Sequence, residues 1–115
     1  MADRRTILVV DDDRPVRTLV ARFLGKTYDI REAEDGEEAW AIIQSEDTAP
    51  DLVITDIRMP RTDGVTLLAR IREEYPDIGV VMMSGTDTVS AAVRTMRLGA
   101  VDYVVKPFPS LDELA

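Results

Sequence analysis

The chain of 115 residues has the length of a single domain, and 45% of its residues are hydrophobic, which is enough to form a core. It contains no cysteine and no histidine, which excludes disulfides, thiolate nucleophiles, the usual zinc sites and a Ser-His-Asp triad. Any bound metal must use oxygen ligands, which favour Mg²⁺, Ca²⁺ or Mn²⁺. The formal net charge of -8 disfavours direct binding to nucleic acid. No apolar run is long enough for a membrane span or a signal peptide, so we expect a cytoplasmic protein that does not contact the membrane.

A strand and a helix are the first predicted elements. The run Thr6–Val10 is apolar and rich in β-branched residues, and three aspartates at positions 11–13 stop it. A helix is then predicted from about Pro15 to Leu24, because apolar residues recur there at helical spacing. Asp13 is suited to cap the start of this helix, and Gly25 is suited to its end.

Strands and helices continue to alternate along the rest of the chain. The segment Tyr28–Glu32 is shorter and more polar, so we expect it at an edge of the sheet. The other predicted strands are Leu52–Thr55, Ile78–Met83 and Val101–Val105, and the other predicted helices are Glu37–Gln44, Val65–Glu74 and Thr88–Leu98. This alternation indicates an α/β fold with a parallel sheet covered by helices on both faces. Residues 110–115 resemble the first turn of a fifth helix that is truncated, so we expect the chain to be one piece of a longer protein.

Polar side chains follow the predicted strands at their carboxyl ends. Asp11 and Asp12 follow the first strand and Asp56 the third, while Ser84 and Lys106 follow the fourth and fifth. Open parallel sheets bind ligands beyond this edge, so three carboxylates, a hydroxyl and an ammonium group should converge there. Three neighbouring carboxylates repel one another, and a divalent cation such as Mg²⁺ removes that conflict. The hydroxyl of Ser84 and the ammonium group of Lys106 would then face a ligand with further negatively charged oxygens. A phosphoryl group is such a ligand.

Four segments resemble the motifs of response-regulator receiver domains in two-component signalling. Residues 56–64, DIRMPRTDG, resemble the signature around the phosphorylated aspartate, and Val9–Asp12 resembles the acidic pair. Met83–Gly85 resembles the switch-hydroxyl segment, and Asp102–Phe108 resembles the lysine segment with its switch aromatic. The four segments occur in order and at the right spacing over the whole chain, so the chain is identified as a member of this family.

The resemblance implies a flavodoxin-like fold and a phosphorelay function. The fold is a five-stranded parallel sheet of order 2-1-3-4-5 with helices on both faces. Asp56 would accept a phosphoryl group from a histidine kinase, with Ser84 and Lys106 as catalytic residues that bind the phosphoryl oxygens. Ser84 and Tyr103 would form a switch that changes conformation to control an output domain or partner. Such a domain catalyses its own phosphorylation and dephosphorylation but is not a conventional turnover enzyme.

The resemblance also implies a metal site and partners. Mg²⁺, for which Mn²⁺ can substitute, would be held by Asp11, Asp12, Asp56 and the main-chain carbonyl of Arg58. Residues 1–115 would form the receiver domain, as the N-terminal part of a longer protein. Its partners would be a sensor histidine kinase and, through the face of helix 4, strand 5 and helix 5, a second copy of the domain.

Three other functions compete with this interpretation. A phosphatase of the haloacid-dehalogenase type needs a second acid two residues after its nucleophile, and that position is Arg58 here. A flavodoxin would need a loop rich in serine, threonine or glycine after the first strand, where this chain has three aspartates. A receiver-like binding module that does not take phosphate would lack one of the five site residues, and none is missing. This last reading stays as the alternative.

Overall fold

Strands and helices alternate in the computed structural model, which describes residues 5–45, 47, 49–57, 59, 63–84 and 89–105, with residues 84, 89–92, 103 and 105 described by their backbone alone. The elements are β1 (Thr6–Val10), α1 (Arg14–Leu24), β2 (Asp29–Ala33), α2 (Gly36–Gln44), β3 (Leu52–Asp56), α3 (Gly64–Glu74), β4 (Gly79–Ser84), α4 (Val89–Arg97) and β5 (Asp102–Val105). Each of these elements was predicted from the sequence, with its ends within one residue of the observed ends.

The sheet is parallel, and its strands lie in the order β2-β1-β3-β4-β5. In the centre of the sheet, Val10 of β1 pairs with Ala33 of β2 and with Thr55 of β3. The register between β3 and β4 places Asp56 opposite Met83. The predicted parallel α/β sheet, the order β2-β1-β3-β4 and the edge position of β2 are confirmed. Because β1 and β3 are neighbours that end at the same level, the residues at their carboxyl ends come together.

Apolar side chains form one cluster on each face of the sheet. Leu8, Val53 and Val80 point to the face covered by α2 and α3, where they join the larger cluster. The opposite face carries a smaller cluster packed against α1; its buried members are Ile7, Val9, Val20 and Met83. Beside α1, this second face has a groove of about 690 Å³ whose lining includes Phe23, Ile54, Val81 and Val104. The two faces of the described sheet are therefore covered unequally.

Aspartates begin three of the helices. Asp35 and Asp63 each accept a 2.8 Å hydrogen bond from a backbone N–H three residues later, and Asp13 accepts a longer one of 3.4 Å. The predicted caps at Asp13 and Gly25 are confirmed, and Gly99 follows α4 with a left-handed φ of 105°. Within the described ranges, no helix is both long and apolar enough to cross a bilayer.

Candidate functional site

Three carboxylates meet at the carboxyl end of the sheet. Asp11 and Asp12 directly follow β1, and Asp56 is the last residue of β3. One carboxylate oxygen of each residue lies within 4.8 Å of those of the other two. Asp11 is fully buried, Asp56 is 7% exposed, and Asp12 is exposed. We call these three residues the acidic pocket, and its exposed side at Asp12 gives a ligand access from solvent.

Asp11 is fixed through its main chain and its side chain. Its N–H donates a 3.1 Å hydrogen bond to the carbonyl of Ala33 at the end of β2. Its carbonyl accepts a 2.7 Å hydrogen bond from Nη1 of Arg17, and its Oδ1 accepts a 2.8 Å bond from the N–H of Asp13. The bond from Asp13 helps to offset the loss of water around the buried carboxylate, and the other two hold the main chain. The position of Asp11 therefore depends on β2 and α1 as well as on its own strand.

The backbone around Asp56 is held from three sides. Next to its pairing with β4, the N–H of Ile57 donates to the carbonyl of Met83 at 3.0 Å. The hydroxyl of Thr55 donates to the Asp56 carbonyl at 3.0 Å. Gly64, the first residue of α3, lies so close to Asp56 that an added Cβ would collide with its main-chain carbonyl. These contacts keep the end of β3 in place at the mouth of the pocket.

The acidic pocket fits a divalent cation. All its donors are carboxylate oxygens, which are the ligands that hard divalent cations prefer in proteins. Two of the three carboxylates are buried, so water screens their mutual repulsion poorly. A cation between oxygens that lie within 4.8 Å of one another would neutralise this repulsion.

The comparison with protein families agrees with this geometry. The chain matches the response regulator receiver domain over residues 7–115. The chain belongs to this family. Receiver domains partner with histidine kinases in two-component signalling and are not conventional enzymes. A pocket of three aspartates at the carboxyl end of the sheet is consistent with phosphorylation of an aspartate in this receiver.

Matches to individual relatives span nearly the whole length of the receiver. It is 41% identical over 109 residues to the response regulator MprA of Mycolicibacterium vanbaalenii, a match that covers 94% of this chain and 46% of that protein. The receiver domain of NtrX from Brucella abortus superposes with a TM-score of 0.85 at 42% identity, covering 94% of this chain and 90% of that one. A response regulator from Burkholderia pseudomallei, solved with a phosphorylated aspartic acid, a calcium ion and citrate, gives a TM-score of 0.83 at 26% identity, with 96% and 65% covered. The receiver spans about half the length of the curated relative.

The structure describes the other predicted site residues of the receiver only by their backbone, or not at all. Ser84 is the last residue of β4, and its backbone pairs with Val105 of β5. Tyr103 lies within β5, and its backbone pairs with β4. Arg58 and Lys106 lie outside the described residues, so the predicted carbonyl ligand and ammonium group stay predictions. The structure brings the three carboxylates together, and the role of each stays a prediction as well.

Sequence reasoning missed two side chains beside the pocket. Nε of Arg17 in α1 donates a 3.1 Å hydrogen bond to Oε1 of Glu32 in β2, and the same guanidinium contacts the carbonyl of Asp11. One signal could have indicated Arg17, since it lies three residues before the buried Val20 and so borders the apolar face of the helix. Its partner could not be identified, because Glu32 is 15 residues away and the pairing depends on how α1 packs on β2.

Proposed function

We propose that this receiver accepts a phosphoryl group on Asp56 from a sensor histidine kinase and thereby controls an output domain or partner. The observation that carries the proposal is the acidic pocket, in which the Asp56 carboxylate lies within 4.8 Å of those of Asp11 and Asp12. Asp56 is the member of the pocket within the resembling signature DIRMPRTDG. Its carboxylate is therefore the candidate nucleophile, and the other two carboxylates are candidate metal ligands.

The proposed reaction is a phosphoryl transfer between two nucleophiles. A carboxylate oxygen of Asp56 forms a bond to phosphorus while the P–N bond of the kinase phosphohistidine breaks. Hydrolysis of the acyl phosphate later releases inorganic phosphate and restores the carboxylate. Positioning and electrostatic stabilisation supply most of the catalysis in such transfers. Three features position Asp56: the pairing of β3 with β4, the hydrogen bond from the Thr55 hydroxyl, and the close approach of Gly64.

We propose Mg²⁺ as the cation of the acidic pocket, with Mn²⁺ as a substitute. Asp11, Asp12 and Asp56 would hold it through carboxylate oxygens, and Arg58 through its main-chain carbonyl. When bound, the ion neutralises charge between the anionic acceptor and an anionic phosphoryl donor. The pocket supports three of these ligands, and the fourth rests on the resemblance alone.

We propose Lys106 and Ser84 as the groups that bind phosphoryl oxygens, and Ser84 with Tyr103 as the conformational switch. The support is the register of the sheet, because Ser84 pairs with Val105, the residue directly before Lys106. This backbone arrangement brings the carboxyl ends of β4 and β5 to the edge where the acidic pocket lies. A population shift between two conformations would carry the signal onward.

We further propose that residues 1–115 form the receiver domain of a longer protein, with a fifth helix that follows β5 and completes the five-stranded fold. The groove beside α1 supports this, because apolar side chains such as Ile54 and Val81 line it on a face that only α1 covers among the described elements. Both faces of a parallel sheet are normally covered by helices. The length of the curated relative, of which the chain matches 46%, is consistent with further domains.

The surface around α4 supports a proposed homodimer through α4, β5 and the fifth helix. Among the described residues, four of the five exposed large hydrophobic side chains lie between positions 93 and 101: Val93, Met96, Leu98 and Val101. Exposed apolar side chains concentrated in one segment are candidates for an interaction site. No direct contact with nucleic acid is proposed for this acidic domain, and its cytoplasmic location stays a proposal that rests on the family.

Intact-mass measurement after incubation with acetyl phosphate and Mg²⁺ tests the proposal. We expect a gain of one phosphoryl group in the wild type and in Asp51→Asn, and no gain in Asp56→Asn. Asp51 is the matched control, because it lies directly before β3 while Asp56 ends the same strand. If folded wild type gains no mass from acetyl phosphate or from a phosphorylated kinase, the alternative of a binding module that does not take phosphate would hold.

A further inference from the structure

We infer that Arg17 is a positioning residue for the acidic pocket, which it serves by fixing the peptide group that joins Asp11 to Asp12. This inference rests on the proposed metal-binding role of the pocket. It assigns to a side chain of α1 a task in metal binding, although Arg17 itself supplies no ligand.

The contacts of Arg17 show how it holds the pocket. Its Nη1 donates a 2.7 Å hydrogen bond to the main-chain carbonyl of Asp11, and its Nε donates a 3.1 Å bond to Oε1 of Glu32. The Arg17 side chain is only 13% exposed, whereas that of Glu32 is 45% exposed. A guanidinium can serve both acceptors at once because its donors form a rigid planar fork. Glu32 therefore orients the guanidinium, and the guanidinium holds the carbonyl.

The carbonyl of Asp11 belongs to the peptide plane that leads to Asp12. A peptide group is rigid, so fixing this oxygen fixes the orientation of the plane and of the two Cα atoms at its ends. The N–H of Asp11 is held separately by the carbonyl of Ala33 at 3.1 Å. The N–H and the carbonyl of Asp11 are thus both held by hydrogen bonds. These bonds help to set the directions in which the carboxylates of Asp11 and Asp12 leave the chain. Outer contacts of this kind orient the ligands of metal sites.

The rival explanation is that Arg17 only links α1 to β2 and so stabilises the fold. The two explanations differ in what they predict for folded protein. A link between elements affects the free energy of unfolding but not the affinity of the folded pocket for a cation. A positioning residue changes that affinity even under conditions where every molecule is folded.

Titration with Mn²⁺, followed by the electron paramagnetic resonance signal of the free ion, measures the affinity without any phosphorylation step. We expect Arg17→Lys, which keeps the charge but loses the fork, to weaken Mn²⁺ binding about tenfold. Glu32→Ala frees the guanidinium from one partner and should cause a loss of affinity smaller than that of Arg17→Lys, and so below about tenfold. Arg5→Lys is the control, because Arg5 pairs with Asp51 at 3.8 Å at the opposite end of β1. The affinity of this variant for Mn²⁺ should match that of the wild type. Displacement by Mg²⁺ checks that the same site is measured.

Two results would overturn the inference, and they can be told apart. Unchanged Mn²⁺ affinity in Arg17→Lys and Glu32→Ala, with a lower free energy of unfolding, would make Arg17 a link in the fold only. Absence of Mn²⁺ binding to the wild type would overturn the proposed metal site and the inference together. If Arg17→Lys does not fold, Glu32→Ala decides alone, since Glu32 is partly exposed and its side chain is hydrogen-bonded to Arg17.

Discussion

The first residue of α3, Gly64, lies against the main-chain carbonyl of Asp56 with no space for a side chain between them. The N–H of Gly64 also donates a 2.7 Å hydrogen bond to the carbonyl of Ile57, the residue after Asp56. The start of α3 and the end of β3 are therefore one packed unit. The position of Asp56 in the acidic pocket depends on how closely this helix approaches.

Gly64→Ala should destabilise the receiver by about 1–3 kcal/mol, because the new Cβ forces the backbone at Asp56 or at α3 to shift. Gly79→Ala is the control, since its Cβ would meet only the flexible end of Leu52, at 3.0 Å. We expect it to cost under about 1 kcal/mol. Urea unfolding of both variants measures the difference, and equal costs would contradict the close approach at Gly64.

Mg²⁺ should raise the thermal stability of the wild type, because it binds the folded pocket and not the unfolded chain. The thermal stability of Asp12→Asn should differ from that of the wild type in two respects. Without metal it should be more stable than the wild type, since one of three repelling charges is gone, and added Mg²⁺ should stabilise it far less. Melting curves in EDTA and in Mg²⁺ test both signs. An Asp12→Asn variant that is less stable in EDTA would argue against repulsion in the pocket.

Two helix caps of different geometry should differ in strength. Asp63 accepts a 2.8 Å hydrogen bond from the N–H of Thr66, so Asp63→Ala should cost about 1 kcal/mol. Asp13 accepts a longer bond of 3.4 Å from Val16, so Asp13→Ala should cost less. Chemical denaturation of the two variants gives the comparison. The reverse order of costs would contradict the cap geometry described for α1 and α3.

The only tryptophan is covered by an arginine from the neighbouring helix. The guanidinium carbon of Arg70 lies 4.0 Å from the centroid of the Trp40 ring. Arg70→Ala should lower the free energy of unfolding by about 0.5–1 kcal/mol and change the tryptophan fluorescence of the folded protein. Arg22→Ala, which alters an exposed arginine in the last turn of α1, should leave that fluorescence unchanged. A spectrum that is identical in Arg70→Ala and the wild type would contradict the stacking.

Much of the fold and the acidic part of the site could be predicted from residue patterns. Three aspartates follow the apolar run Thr6–Val10, and charged side chains are unfavourable in the interior of a buried strand, so both the end of the strand and the position of Asp11 follow from local chemistry. Carboxyl ends of parallel strands share an edge of the sheet. The strand topology alone, with no distances, therefore predicts that Asp11 and Asp56 lie close together. The structure confirms that meeting.

Contacts that depend on how helices cross the sheet could not be predicted. The helix that begins at Gly64 follows from its apolar spacing, but the close approach of Gly64 to Asp56 depends on how α3 packs against the end of β3. The pairing of Arg17 with Glu32 depends on the packing of α1 on β2. Sequence spacing gives the face of each helix but not its distance from neighbouring elements.

Chemical trapping of the acyl phosphate identifies the residue that accepts the phosphoryl group. Reduction with borohydride after phosphorylation converts an aspartyl phosphate to homoserine, which tandem mass spectrometry of peptides can locate. We expect homoserine at position 56 and unmodified aspartate at positions 11, 12 and 51. Homoserine at Asp11 or Asp12, with Asp56 unmodified, would contradict the assignment of Asp56 as the phosphoryl acceptor.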